Sequence, residues 1–151
     1  MIGIINYGLG NVKAILNLYN YHRIKAKLVS TIDDFDLIDR LILPGVGSFD
    51  NAINLFNESG MREKTEKLVL EKKIPFLGIC VGMQILGNSS EEGKQKGLCW
   101  INGDIKKINF FNKKLPLPHL GWNKISLTKN SKILKGLNNQ YFYFLHSYFF
   151  S

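Results

Sequence analysis

Over the first 80 residues, short apolar runs alternate with stretches in which apolar residues recur at helical spacing. The apolar runs at residues 1–6, 26–29, 41–43 and 74–80 predict strands. Val12, Ile15, Leu16 and Tyr19 predict a helix that begins after Asn11, a good N-cap. Residues 50–56 and 61–72 predict two more helices. Strands that alternate with helices form parallel sheets covered on both faces, so the pattern predicts an α/β fold.

The pattern changes character from residue 97 onward. Short strands are predicted at residues 98–101, 105–111, 122–127 and 141–148, separated by Gly and Asn. This spacing indicates antiparallel hairpins added to the α/β core. There is no internal repeat and no low-complexity segment, so we expect one domain over residues 1–151.

Composition narrows the protein class. Hydrophobic residues make up 45% and charged residues 21%, as in ordinary globular proteins. No apolar run is long enough to span a bilayer and the N-terminus lacks a signal-peptide pattern, so we expect no membrane partner. The net charge is +8, but the lysines are scattered without an aromatic-basic module. We therefore interpret the charge as a solvated surface and expect no nucleic-acid partner.

Two cysteines, Cys80 and Cys99, are too few for a disulfide framework. Their contexts suggest reduced thiols in a cytoplasmic protein. No motif surrounds Cys99, which is expected to act as a small hydrophobe. No spacing of ligand residues points to a metal, and no cofactor is expected.

The strongest chemical motif is Gly78-Ile79-Cys80-Val81-Gly82, which follows a predicted buried strand and precedes a predicted helix at 81–86. A strand–nucleophile–helix turn of this kind is a nucleophile elbow, here with Cys in place of Ser. Small residues are needed two positions either side, because bulk would clash in the strained turn. The helix N-terminus favours a thiolate, and the Val81 amide could bind an oxyanion. A buried structural cysteine in a glycine-rich turn is the alternative.

A second glycine-rich turn, at residues 44–47, follows a predicted parallel strand. It would lie at the carboxyl edge of the sheet, where open α/β folds bind ligands, and its amides could supply a second oxyanion donor. A tight turn without function is the alternative. His146, near the end of an aromatic strand, is interpreted as a hydrogen-bonded core residue rather than a base for Cys80. His22 and His119 are interpreted as structural too.

Six segments occur in the order found in one family: NYGLGN at 6–11, LILPGVGSF at 41–49, GICVGMQ at 78–84, SEEG at 90–93, PHLGWN at 118–123 and FLHSY at 144–148. Together they resemble the class I glutamine amidotransferases, and among these the HisH family of glutaminase subunits of imidazole glycerol phosphate synthase. The resemblance implies a flavodoxin-like α/β fold. It also implies hydrolysis of glutamine to glutamate and ammonia.

The resemblance assigns roles to individual residues. Cys80 would attack the side-chain amide of glutamine and form a thioester. Val46, Gly47 and Val81 would line the oxyanion site, and Gln84, Ser147 and Tyr148 would hold glutamine. Ammonia would pass through a tunnel to a HisF-like (β/α)₈-barrel synthase, the partner in a heterodimer, which makes imidazole glycerol phosphate and AICAR in histidine biosynthesis. Asn11, the neighbourhood of Gly47, and Trp122 would face that partner.

The sequence departs from the family pattern in two places. Asn6 stands where the family more often has Asp. More seriously, the family places its catalytic His and Glu in a motif beyond the His-Ser-Tyr segment, and no His-x-Glu follows Cys80 in these residues. We therefore expect a type-1 amidotransferase domain that is incomplete at its C-terminus and inactive alone.

Three alternatives remain open at the level of sequence. Residues 115–118 (LPLP) and Trp100 resemble a paralogue that supplies ammonia for amidation of a surface-polysaccharide sugar. The chain could also be a non-catalytic fragment that binds a barrel partner or glutamine without turnover. A thiol hydrolase or redox sensor on a flavodoxin-like fold would lack a glutamine site altogether.

Overall fold

The computed structural model describes residues 1–109 and 116–151, and these divide into two compact units. The first unit comprises Met1–Lys106 with Phe150–Ser151, and the second comprises Lys107–Phe149. Part of the predicted strand at 105–111 and Leu115 of the LPLP segment lie outside the described residues.

The first unit contains the predicted parallel sheet. Its strands are β1 (Ile2–Ile5), β2 (Ala26–Val29), β3 (Arg40–Leu43) and β4 (Phe76–Gly78). Their order is β2-β1-β3-β4 and each neighbouring pair is parallel. This order places the ends of β1 and β3 side by side, with β4 next to β3. The prediction of a flavodoxin-like α/β core is confirmed.

Both faces of the sheet are covered. Ile4 packs with Ile42 of β3 and with Val12 of the first helix, forming one face. On the other face a Cβ on Gly3 would lie 2.9 Å from side-chain atoms of both Leu41 and Val29. Burial on both sides explains why these strands are continuous apolar runs rather than alternating ones.

The helices follow the predicted pattern closely. Helix α1 (Val12–Tyr21) begins after Asn11, whose Oδ1 accepts a hydrogen bond from the Ala14 amide (3.1 Å). Helix α2 is Phe49–Glu58, and α3 (Arg62–Glu66) continues as a π-helix over Lys67–Glu71. A 3₁₀ turn at Ile32–Phe35 precedes β3. Helix α4 is only Val81–Gln84, shorter than the predicted 81–86.

Two predicted strands need correction. Residues 98–101 form no strand, because the amides of Leu98 and Trp100 bond the carbonyls of Ile85 (2.8 Å) and Leu86 (2.9 Å). The strand predicted over 74–80 is confined to β4, at the edge of the four-stranded sheet. Because nothing described pairs with its outer side, Leu77 and Ile79 are 41% and 38% exposed rather than buried.

The second unit is built around β6 (His119–Lys124) and β7 (Tyr141–His146), which pair antiparallel with Trp122 opposite Tyr143. Two short strands, β5 (Ile105–Lys107) and β8 (Tyr148–Phe150), pair with each other, and the division between the units falls within them. The predicted strand at 122–127 thus begins earlier, and that at 141–148 is broken at Ser147. No helix in the described part of the chain is long and apolar enough to cross a bilayer.

Candidate active site at the elbow after β4

Cys80 occupies a strained turn between β4 and α4. Its φ is 55° and its ψ is −125°, a conformation that non-glycine residues seldom adopt. Hydrogen bonds fix the turn on both sides: the Ile79 amide donates to the Leu43 carbonyl (3.0 Å), and the Met83 and Gln84 amides donate to the Cys80 carbonyl (2.9 and 3.1 Å). The thiol side chain is exposed. The turn therefore presents the sulfur to solvent at the carboxyl edge of the sheet.

The two glycines of the motif are required by packing. A Cβ on Gly78 would lie 2.5 Å from the Cα of Met83, and a Cβ on Gly82 would overlap the carbonyl oxygen of Leu43. Both contacts involve backbone, which cannot move aside as a flexible side chain could. The predicted need for small residues two positions either side of Cys80 is confirmed.

The glycine-rich turn after β3 lies directly against this elbow. A Cβ on Gly45 would lie 2.6 Å from the amide nitrogen of Gly82 and 2.5 Å from Cγ1 of Val81. Gly47 has φ 108° and open space around it, and the Val46 side chain is 61% exposed. Within the described residues the amides of Val46, Gly47 and Val81 donate no hydrogen bond. The 44–47 turn therefore lies against the elbow and carries free amides, and the use of these amides as an oxyanion site stays a prediction.

Tyr7 is a buried neighbour of the elbow that the sequence did not single out. It is 4% exposed and packs edge-to-face on Phe56, with ring centroids 5.5 Å apart. Its hydroxyl has no hydrogen-bond partner in the described part of the chain. Burial, and secondarily the negative charge of Cys80, raise the pKa of the Tyr7 hydroxyl far above its usual range. Tyr7 therefore stays protonated and can only donate to an anion.

His146 and His119 belong to a continuous chain of hydrogen bonds in the second unit. The His146 Nδ1 lies 2.9 Å from the Tyr148 carbonyl, and its Nε2 lies 3.0 Å from the His119 Nδ1. The Nδ2 amide of Asn123 is 2.8 Å from the His119 Nε2. Because a carbonyl only accepts, one set of neutral tautomers satisfies all three contacts. The prediction that His146 is hydrogen-bonded is confirmed, and the structural role expected of His146 and His119 stays a prediction.

The remaining predicted glutamine-binding residues are distributed over the two units. Gln84 is half-buried in α4. Ser147 and Tyr148 belong to the second unit, where the Ser147 carbonyl accepts from the Ile108 amide (2.9 Å) and the Tyr148 carbonyl accepts from His146. Their sharing of one glutamine site with Cys80 stays a prediction.

The residues predicted to face a partner are exposed in their own units. Asn11 is exposed and also caps α1. Trp122 is 67% exposed and packs edge-to-face on Tyr143 (5.6 Å). Cys99 is exposed as well, contrary to its expected packing as a small hydrophobe; it lies at residues 98–101, which form no strand, and its φ is 57°. Among the described residues no group of His, Cys, Asp and Glu could hold a metal ion.

Comparison with known proteins agrees with this geometry. The sequence model of the family described as class-I glutamine amidotransferase matches residues 4–151. The imidazole glycerol phosphate synthase subunit HisH of Leptospira borgpetersenii is 47% identical over 152 residues, covering 99% of this chain and 74% of that protein. The HisH subunit of Bdellovibrio bacteriovorus is 46% identical over 153 residues, covering 99% of this chain and 75% of that protein.

A solved glutamine amidotransferase structure superposes with a TM-score of 0.73 at 19% identity, covering 99% of this chain and 72% of that one. This likeness concerns the fold alone. The family match and the two relatives concern the amino-acid sequence over nearly the whole chain. The chain therefore belongs to the class I glutamine amidotransferase family, with HisH subunits of imidazole glycerol phosphate synthase among its relatives.

Proposed function

We propose that this chain is the glutaminase part of an imidazole glycerol phosphate synthase, with Cys80 as its nucleophile. The observation that carries the proposal is the elbow: an exposed thiol, held in a strained backbone conformation and followed directly by the Val81 amide, which donates no hydrogen bond among the described residues. A structural cysteine needs neither the strain nor the exposure. The names of the relatives supply the reaction that such a thiol would perform.

The chemistry begins with attack of the Cys80 thiolate on the side-chain amide carbon of glutamine. A C–S bond forms, and the carbonyl electron pair moves to oxygen as an oxyanion. Collapse of this intermediate breaks the C–N bond, and the nitrogen takes up a proton and leaves as ammonia. Water then hydrolyses the thioester to glutamate and restores the thiol. Both addition steps place negative charge on one oxygen beside Cys80.

The amides of Val81, Val46 and Gly47 are the proposed donors to that oxyanion. Val81 follows Cys80 directly, and Gly45 packs its backbone against the elbow, bringing the 44–47 turn to the same place. Backbone donors held in place by packing need no reorganisation when charge develops, which is why they stabilise a transition state effectively. Gln84, Ser147 and Tyr148 are proposed to hold the glutamine.

The ammonia is proposed to pass through a tunnel to a (β/α)₈-barrel cyclase subunit in a heterodimer, which makes imidazole glycerol phosphate and AICAR. Asn11, Gly47 and Trp122 are proposed to face this partner. The relatives named above favour this reaction over amidation of a surface-polysaccharide sugar, because they are subunits of imidazole glycerol phosphate synthase.

The direct test is labelling by a glutamine analogue that carries a diazoketone, followed by mass spectrometry. We expect one adduct on Cys80, and competition by glutamine but not by asparagine. Cys99 is the built-in control, since it too is an exposed thiol in the same chain. Cys80→Ser should abolish the adduct and Cys99→Ser should leave it unchanged. Equal labelling of the two thiols, or labelling of Cys99 alone, would refute the assignment.

A further inference from the structure

The two units share the positive charge of the chain unequally. The second unit, Lys107–Phe149, contains seven lysines and no aspartate or glutamate, whereas the first unit has 13 Lys and Arg against 12 Asp and Glu. Almost all of the net charge of +8 therefore belongs to the second unit. Surfaces that serve only solubility intersperse both signs of charge, because unbalanced like charges repel each other. The second unit is therefore a region that attracts anions.

Three of these lysines line one cleft, in the connection between β6 and β7. The cleft has a volume of about 970 Å³ and is lined by Lys129, Lys132 and Lys135, with Thr128 and Ser131 beside them. The three lysines are exposed, so the cleft is open to solvent. Its volume lies at the upper end of the range of about 300–1,000 Å³ found for small-molecule sites. We call it the lysine cleft.

Hydrogen bonds hold the two ends of this connection together. The Leu127 amide donates to the Asn138 Oδ1 (3.0 Å), and both residues line the cleft. Just outside it, the Asn139 amide donates to the Ile125 carbonyl (2.9 Å), and the Ile125 amide donates to the Gln140 carbonyl (3.0 Å). The backbone that carries the lysines is thus closed at its base. This closure lowers the entropy cost of gathering three cations around one ligand.

The lining of the lysine cleft suits phosphate groups. Its ammonium and hydroxyl groups are hydrogen-bond donors, and a phosphate ester offers several acceptor oxygens and nearly two negative charges. Three cations match a ligand with at least two phosphates, whereas a single carboxylate would leave two cations without a counter-charge. Among the described residues that line the cleft there is no acidic and no aromatic side chain. The lining therefore lacks the stacking surface that single-stranded nucleic acids use.

We propose that the lysine cleft binds a soluble small molecule that carries two or more clustered phosphate groups. A lysine ammonium contacts a phosphate as a point charge, and it does not need the planar two-bond geometry of an arginine pair. The residues of this site differ from those proposed for glutamine hydrolysis. The inference therefore stands or falls independently of the role of Cys80.

The test is isothermal titration calorimetry of the 151-residue chain with inorganic tripolyphosphate. We expect one site per chain, and binding of inorganic phosphate that is weaker by about tenfold or more. Lys129→Gln/Lys132→Gln should weaken tripolyphosphate binding about tenfold or more, because each lost lysine removes a charge-assisted contact. Lys13→Gln/Lys25→Gln is the matched control, since it removes the same charge from exposed positions of the first unit. It should bind within about twofold of the unsubstituted chain.

Four outcomes would overturn the inference. Equal weakening in the two double variants would mean that tripolyphosphate responds to net charge alone, and absence of binding at about 1 mM would mean that the cleft takes no such ligand. Tighter binding of a single-stranded oligonucleotide, lost in Lys129→Gln/Lys132→Gln, would identify a nucleic-acid surface instead. Sedimentation with phosphatidylcholine vesicles that contain phosphatidylinositol bisphosphate, lost in the same variant, would place the phosphates on a membrane.

Discussion

At the scale of single residues, the site depends on a strained conformation that its surroundings enforce. A non-glycine residue at the φ and ψ of Cys80 costs on the order of 1–3 kcal/mol, and it persists only when neighbouring contacts over-determine it. The amides of Ile79, Gly82 and Met83 each make a hydrogen bond that fixes the turn. The strained turn keeps the Cys80 sulfur outside the sheet, while the backbone of Cys80 stays within the hydrogen-bonded turn.

Gly82→Ala tests whether the elbow needs its close packing. The added methyl would overlap the Leu43 carbonyl oxygen, and neither backbone can yield without moving the turn. Overpacking of this kind costs about 1–3 kcal/mol of unfolding free energy. A displaced nucleophile should lose about 100-fold or more in the rate of labelling by the glutamine analogue. Thermal unfolding and labelling kinetics measure the two effects.

Gly60→Ala is the control for this substitution. Gly60 has φ 71° but open space around it, so alanine there adds backbone strain without a clash. We expect a smaller loss of stability and no change in Cys80 labelling. Wild-type labelling in Gly82→Ala would show that the tight contact is not needed to present the thiol.

These residues also show what local sequence can reveal. The spacing of Gly78, Cys80 and Gly82 is a short-range pattern, so the elbow was predictable from the five residues 78–82. Tyr7 was not, because its burial depends on Phe56 and Gly45, which are far away in the sequence. The pairing of His119 with His146 depends on the register of β6 and β7, which no local pattern encodes.

At the scale of elements, helix α2 and the loop at residues 90–95 hold each other through reciprocal hydrogen bonds. The Phe49 amide, at the start of α2, donates to Glu92 Oε2 (2.8 Å). In return, Asp50 accepts from the amides of Lys94 (2.9 Å) and Gln95 (2.9 Å). Glu92 thus satisfies a free amide at the helix start. The SEEG segment, known from sequence only as a motif, therefore anchors the helix that follows the 44–47 turn.

We call these hydrogen bonds between α2 and the 90–95 loop the clasp. Asp50→Asn should weaken the clasp in a pH-dependent way. The amides of Lys94 and Gln95 lower the pKa of Asp50 in the folded protein. Its contribution is therefore fully present above the unfolded-state pKa of about 3.9, and is lost as the pH falls through the lower folded-state value. We expect a lower melting temperature for Asp50→Asn at pH 7, a deficit that begins to shrink as the pH falls below about 4, and convergence with the unsubstituted chain only below the folded-state pKa of Asp50.

The matched control is Asp33→Asn. Asp33 is exposed and makes no hydrogen bond within the described residues, so its substitution should leave the melting temperature unchanged at both pH values. If Asp50→Asn behaves like Asp33→Asn, the clasp does not stabilise the fold. If the melting temperature of Asp50→Asn stays equally far below that of the unsubstituted chain at low pH, the loss of stability comes from the shape of the side chain rather than from its charge.

Element types were more predictable than element limits. Strands β1, β2 and β3 and helices α1 and α2 follow from hydrophobic period and from the Asn11 cap, which are local properties. Residues 98–101 look like a strand because they are apolar, but their amides bond the turn after α4 and Cys99 adopts a positive φ. Likewise the apolar run before Cys80 does not reveal that β4 lies at the edge of the sheet.

At the scale of the whole molecule, the second unit carries an exposed tryptophan that suits a partner surface. Trp122 is 67% exposed on β6, and large aromatic residues in protein interfaces often contribute most of the binding energy. We expect Trp122→Ala to weaken binding of a HisF-type cyclase subunit about tenfold or more, a loss typical of an interface aromatic. Isothermal titration calorimetry measures this directly.

Tyr141→Ala is the matched control for Trp122→Ala, because Tyr141 is a 59% exposed aromatic of the paired strand β7. It should bind the cyclase subunit normally and unfold at a temperature similar to that of Trp122→Ala. Equal binding by both variants would exclude Trp122 from the interface.

The three histidines, His22, His119 and His146, do not form a relay with Cys80. His22 ends α1 and so lies at the amino edge of the sheet, opposite the edge where Cys80 follows β4. All four ring nitrogens of His119 and His146 are engaged in hydrogen bonds, either with each other or with Asn123 and Tyr148. A general base must have a free nitrogen within hydrogen-bond reach of the proton it takes.

The purified 151-residue chain should therefore release ammonia from glutamine no faster than its Cys80→Ser variant, with or without a cyclase subunit. Expulsion of ammonia needs a positioned acid and thioester hydrolysis needs a positioned base, and each is worth about 10²–10⁴-fold. The analogue should still label Cys80, because the diazo carbon takes up a proton from water, the thiolate then forms the C–S bond, and dinitrogen leaves without a positioned acid. Coupled detection of glutamate measures turnover, with the HisH subunit of Leptospira borgpetersenii as the positive control. Turnover within tenfold of that subunit, abolished by His146→Gln, would show that His146 leaves its chain and serves Cys80.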